Sequence, residues 1–563
     1  MSYSHSLPVE LLVHIFMLAT HGEEETSFSP YSVSRPVFDT TSVKMPVIIS
    51  CVNHHWRHVA LSTPALWTSL CLTPEMILEN DDGQNYLDRT FLDLFLVRSQ
   101  MYPLDVLIDA RDPAWDLNGT EPECVLMHNK SVVDHLFLIS RTPFETGMDV
   151  YWPPFSPCYM FEVVSTILPH IHRWRSLEIL TDVWAPMFVA LTQINPFLMS
   201  LGAPRLQYLA LSRCNEFASF SPYFYPETMK EKSLFTPDEY TVPVQSCNTL
   251  LPNLRHLRLQ GVHVHWSMLD MILKRQNNVS LVSLELDYHS RDVRPSLKEF
   301  CQLLSSNSQL EILKIRGSGP IVSNPDDDVT LVHHDRRCVR LPYLKNLALG
   351  YHDIVECQAI FELLDAPSTW RLHLEDESYR AGPEELDISP ILSFLATGEF
   401  SDVKQKTHSA RVAFPGLTSL SLSSVKTAER SFGTFLNSVK NLRDLTLNSM
   451  DLDKTLCSLL PSDSNTRDNS ILCPCPHLDK VTLTNVRPGC AAQCYSILAY
   501  IDERRREHNS TSLGCVEVRE IPLKYNDEDM NMDYELDNLL SDEDMDDLES
   551  DRSFMIGGDS YHY

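Results

Sequence analysis

The chain has 563 residues, 43% of them hydrophobic, with 17 Gly and 35 Pro. That is too long for one ordinary globular core and fits two to four domains or one long repeat array. A formal net charge of -30 repels phosphate backbones and anionic lipid, which argues against nucleic-acid and membrane partners. Residues 1–18 lack the basic start and apolar run of a secretory signal, and no stretch approaches the roughly 18 to 20 apolar residues of a membrane span. The expectation is a protein of the cytoplasm or nucleus, its 15 cysteines reduced and packed as small core residues.

The first element is a short helix over residues 6–19. Pro8 suits a first helical position, where its missing N–H is no loss, and Glu10 suits the positive end of the helix dipole. Leu11, Ile15 and Leu18 form one apolar row, and Leu12, Phe16 and Ala19 the row beside it. A second helical pattern runs over 47–60, with Ile48, Val52, Trp56 and Val59 on one face, followed by Pro64 and the apolar pair Leu66-Trp67. So small a unit buries little of its own surface. Periodicity fits a helical cap on the next domain and a partner-binding helix pair equally well.

The ordered set Leu7-Pro8-x-Glu10-Leu11-Leu12-x-x-Ile15-Phe16, Val52-x-x-x-Trp56-Arg57-x-x-Ala60 and Leu66-Trp67 resembles the F-box pattern, and residues 61–67 are similar to its ending in fungal F-box proteins. The resemblance covers residues 6–70. It implies an apolar surface that docks a Skp-type adaptor and, through it, a cullin scaffold, built from Leu7, Pro8, Leu11, Leu12, Ile15, Phe16, Val52 and Trp56. This chain departs from the family in a long polar insertion over 20–46. Surface loops lengthen at small entropic cost, so the two helical halves can still meet.

Between residues 73 and 165, 88–99 reads as a helix, 103–108 as a strand and 132–140 as another helix, forming a connection and first irregular repeats. Beyond it, one phrase recurs. Leu206-x-x-Leu209-x-Leu211 returns at 254, 281, 310, 344, 417 and 442, with weaker copies at 174, 369 and 478. Most steps between copies fall in or near the range of roughly 20 to 29 residues of a leucine-rich repeat. Two longer steps coincide with polar stretches at 215–250 and 376–412, read as inserted loops. Helix-like segments lie between phrases at 268–273, 297–304, 355–364 and 491–501. Strand then helix, repeated, predicts an α/β chain: an N-terminal helical module over 1–72, then an irregular solenoid of parallel strands backed by helices over 166–510. In such a sheet the x positions face outward, and Arg255, Arg258 and Lys314 form a basic stretch suited to an acidic target.

No motif for nucleotide binding, nucleophilic catalysis or a zinc protease is present, so no enzyme activity and no cofactor are expected. Cys473, Cys475, Cys490 and Cys494 could hold zinc only if the fold gathered them; otherwise they are a Cys-rich turn between repeats. Residues 526–551 hold 13 Asp or Glu and no Lys or Arg, which predicts disorder in the tail 511–563. Such a tail is a free solvating segment, or else one that folds back on the basic stretch of the sheet, tethered at high effective concentration. Together these features imply a substrate-recognition adaptor of an SCF-type ubiquitin ligase, choosing an unidentified protein target through its repeats. The alternative is a non-catalytic scaffold whose first helices only cap the solenoid.

Overall fold

The computed structural model describes residues 7–21, 40, 42–113, 123–126, 138–141, 150–151, 154–214, 222–230, 233–237, 250–274, 280–322, 339–378, 386–398, 412–461, 473–508 and 510–521. Its body is one sheet of 13 parallel strands lying in sequence order, from Ser69–Leu72 to Cys515–Glu520. All ten Leu-x-x-Leu-x-Leu phrases become strands of this sheet. The phrases also stack in register: Leu177 lies opposite Leu209, Leu209 opposite Leu257, and the row continues through Leu284, Leu313, Leu347, Leu372, Leu420 and Leu445 to Val481. Leu257, Leu284, Leu313, Leu347 and Leu420 are each 1% exposed or less and belong to one continuous core. A period of two within each strand turns the leucines to one face. The stacking of neighbouring repeats then covers them, since one repeat cannot bury its own apolar face.

Helices alternate with these strands wherever the spacing placed them. Trp266–Lys274, Leu297–Ser306, Ile354–Leu363 and Ala491–Glu507 account for the four predicted segments. Leu297–Ser306 starts with a complete capping box, in which Ser296 accepts from the Glu299 N–H and the Glu299 carboxylate accepts from the Ser296 N–H.

The sheet is wider than the repeats predicted. Helix Thr90–Arg98 and strand Leu104–Asp109 stand where 88–99 and 103–108 are read as helix and strand, in the stretch of first irregular repeats. Ser69–Leu72 starts the sheet inside the expected N-terminal module, and Cys515–Glu520 extends it past the expected boundary at 510. Val516 and Val518 take the inward positions there, so a Leu-based phrase misses that strand. The two stretches read as inserted loops carry structure of their own. Phe224, Met229, Leu234 and Phe235 are buried against the body, and Ser389–Thr397 is the helix of its repeat, begun by Pro390 in the first turn. Of the segment predicted helical over 132–140, the described residues form strand Leu138–Arg141, paired antiparallel with Glu123–Leu126. Residues 526–551 lie outside the described residues, as does most of the insertion over 20–46.

Candidate protein-docking site

Among the described residues between 7 and 67, three helices form a module, α1 (Val9–His21), α2 (Met45–Val52) and α3 (His54–Leu61), closed by a short turn of helix at Pro64–Trp67. The predicted second helix is split. Asn53 is extended, with φ -161 and ψ 170, and its side chain accepts the Trp56 N–H at 2.8 Å. It therefore caps a new helix rather than continuing the old one. The polar insertion is also shorter than expected, because Pro46 belongs to the first turn of α2.

The two apolar rows of α1 part company. Leu12, Phe16 and Thr20 face inward, with Leu12 and Phe16 each 1% exposed. Phe16 meets the half-buried Trp56 at 5.1 Å between ring centroids, and α1 packs on both α2 and α3. These three side chains build the module, and of the residues expected to dock a partner, Leu12 and Phe16 are its core instead. The other row, Leu11, Ile15 and Leu18, stands in solvent together with Leu7, and Ile15 is 46% exposed. On α2, Ile48 and Val52 are more than half exposed, at 53% and 54%. Pro8 is exposed, and its carbonyl accepts the N–H groups of Leu11 and Leu12 at 3.1 Å, so it anchors the first turn. Val9 and Ile48 join the exposed apolar set without having been singled out for docking; Val9 sits before the rows begin, and the break at Asn53 turns Ile48 outward.

The module is joined firmly to the sheet. Trp67 is buried against Phe95 of helix Thr90–Arg98, ring centroids 5.0 Å apart, and donates its indole N–H to the Ala60 carbonyl at 2.9 Å. His21 at the end of α1 reaches Ala65 O at 2.9 Å and Ser69 Oγ at 3.4 Å, on the first strand.

The outward face of the sheet differs from the basic stretch expected of it. Arg258, Glu285 and Lys314 lie side by side in register. Lys314 Nζ is 3.2 Å from Glu285 Oε2, and Arg258 is 7% exposed, 3.7 Å from Asp287 and 3.1 Å from Gln260 Oε1. Arg316 binds the fully buried Asp287 through two contacts of 2.9 Å. Burial pushes the Asp287 carboxyl up, and Arg316 and Arg258 more than offset that, holding it below the ordinary carboxylate range. Neighbouring strands thus neutralise one another, and only Arg255 of the three cations stands exposed. Farther along the same row the face turns to small hydroxyls, Ser421, Thr446 and Thr482.

The Cys-rich turn carries packing roles. Burial pushes the Cys475 thiol up to about 12, and its Sγ lies 3.2 Å from Leu436 O. Among the described residues no three His, Cys, Asp or Glu side chains gather as a metal site, and no helix is long and apolar enough to cross a membrane.

No protein-family model and no curated protein matches the chain. Among solved structures it is similar to the leucine-rich repeat-containing protein LegL7 from Legionella pneumophila, at 14% identity and a TM-score of 0.28, over 63% of this chain and 86% of that one. The repeat assignment rests on the chain's own stacked sheet, a fold suited to a protein-interaction scaffold.

Proposed function

We propose that this protein is a substrate-recognition adaptor of a cullin-based, SCF-type ubiquitin ligase, in which the N-terminal module docks a Skp-type subunit and the solenoid holds a target protein. The observation that supports this reading is the exposed apolar row Leu7, Leu11, Ile15 and Leu18 on α1, with Ile48 and Val52 on α2. A module this small would ordinarily turn such residues inward, and exposed apolar patches mark interaction surfaces. The resemblance of residues 6–70 to the F-box names the partner. No residue of the chain performs chemistry; its contribution is to raise the effective concentration of target lysines beside the transfer machinery.

The test is binding of the full chain to a purified Skp-type subunit, comparing wild type with the double variant Leu11→Ser and Ile15→Ser. Both side chains are exposed, so folding is expected to be unchanged while affinity drops at least roughly tenfold, a loss of about 1.4 kcal/mol or more. Equal affinity would leave the module as a cap. That second reading is favoured by the packing of Trp67 on Phe95, which fastens the module to the first repeats.

A further inference from the structure

The two ends of the sheet are finished differently. At the first strand, the three-helix module lies alongside, tied by His21 to Ser69. At the last strand, Cys515–Glu520, nothing among the described residues pairs with the outer edge. Cys515 and Ile521 turn their N–H groups inward, to Asp479 O at 3.1 Å and Val486 O at 3.0 Å. By alternation Val516, Val518 and Glu520 turn theirs outward, and there the Val518 N–H meets only the side-chain hydroxyl of Tyr495, at 3.3 Å. The core is also unfinished at this end: Val516 and Val518 are half-buried, whereas their counterparts Val481 and Leu483 on the preceding strand are 0% exposed.

An open edge is a template for another strand, and charges placed on it usually discourage pairing. Here the charges are arranged so that they do the opposite for one occupant. Glu517 and Arg519 lie two residues apart on the outward face of the sheet, flanking Val518. Within one copy Arg519 closes on Glu517, which also lies 4.0 Å from Lys480, so pairing would exchange this contact for its equivalent across the axis. If a second copy of the strand runs antiparallel with its twofold axis at Val518, Glu517 of each copy faces Arg519 of the other. The same register sets Val518 opposite Val518 as a pair exchanging both main-chain hydrogen bonds, and joins the two half-covered cores. A twofold contact must be self-complementary, and this strand is.

From this geometry we infer that the protein forms an edge-to-edge homodimer through Cys515–Glu520, continuing the sheet from one copy into the next. Tyr495, exposed on the last helix, gives up the Val518 N–H on pairing and flanks the contact.

Sedimentation equilibrium of the full chain should show a monomer–dimer equilibrium in the micromolar range. Arg519→Glu, or Glu517→Arg, sets like charges opposite each other twice by symmetry and should weaken the dimer roughly tenfold. The double exchange of the two residues restores both pairs and should restore the dimer. An equimolar mixture of the two single variants should form a heterodimer although neither pairs well with itself. A chain that stays monomeric across the range, or a dimer indifferent to these exchanges, overturns the inference. Because no residue of the N-terminal module is altered, binding to the Skp-type subunit is read separately, and either result can fail alone.

Discussion

Ile15 on α1 and Leu313 on the seventh strand of the large sheet are aliphatic residues in regular apolar rows, yet one is 46% exposed and the other 0%. In the solenoid the row of Leu313 has a next repeat to lie against on either side, so it is covered. Only at the last strand, where no further repeat follows among the described residues, are the inward Val516 and Val518 left half-buried. In the module, α3 and Trp56 cover the row through Leu12 and Phe16, while the row through Leu11 and Ile15 meets no cover among the described residues. Periodicity therefore tells which residues share a face, and only the third dimension tells whether that face is a core or a surface for another molecule.

The sharpest way to break this contrast is to shorten one residue from each row. Leu313→Ala removes a buried side chain from a continuous core and should destabilise by about 2 to 5 kcal/mol, by lost burial plus the cavity left behind. Ile15→Ala should change stability by no more than about 0.5 kcal/mol, as surface substitutions do. Urea denaturation of both variants reads the difference; equal costs would mean that the outer row of α1 is covered after all.

A second contrast lies within the body, where two histidines are buried uncharged. His289 is held between Ser318 Oγ at 2.9 Å and Val262 O at 3.0 Å, and His263 reaches Lys230 O at 2.7 Å while stacked on Trp184. A carbonyl only accepts, so in each ring Nε2 carries the proton. Burial holds both rings down to about 4, well below the ordinary histidine value. The unfolded chain therefore takes up protons from about pH 6.5 downward that the folded chain refuses. Stability from these sites is complete above that pH and is lost as pH falls toward 4, by an amount on the order of 3 kcal/mol for each ring. Asp182 works the other way: burial raises its carboxyl to about 6, so acidification through that value adds stability. Urea midpoints at pH 7 and pH 4.5 should show a smaller acid loss in His289→Asn than in wild type. An unchanged difference would mean that the ring is already charged or solvated in the fold.

The solenoid was legible because its signal is repeated. Ten copies of one phrase fix the strand positions, the register and the inward leucines, and each copy corrects the others. The last strand escaped because Val516 and Val518 replace the leucines, and Ser389–Thr397 escaped because it lies within a stretch of polar residues. In the module, the residues that make the F-box resemblance were legible, but not their division into core and exterior. That division depends on how α1 is rotated against α3, which no residue states alone. The neutralised face of the sheet was readable in part: Glu285 and Lys314 hold the same place in consecutive phrases with opposite charge, and so do Asp287 and Arg316. The expected basic stretch at Arg258 and Lys314 is neutralised because parallel strands set equivalent positions side by side, here with Glu285 between them.

The smallest expected effect sharpens the reading of the module itself, and its sign is decisive. If residues 47–60 formed one continuous helix, Asn53 would sit in its interior, and Asn53→Ala would stabilise it by a few tenths of a kcal/mol through better helix propensity. In the structure Asn53 is instead the cap of α3, extended, with its side chain accepting the Trp56 N–H at 2.8 Å. Asn53→Ala then removes that acceptor and should cost about 1 kcal/mol, whereas Asn53→Ser keeps an oxygen within reach and should recover most of it. Trp56 follows directly in the first turn of α3 and packs its ring on Phe16, so loosening the cap loosens the contact that orients α1. Stability measured through tryptophan fluorescence, with Trp56 and Trp67 as reporters within the module, gives the order wild type, then serine, then alanine. The reverse order, with alanine the most stable, would restore the single helix and turn Ile48, Val52, Trp56 and Val59 back onto one face.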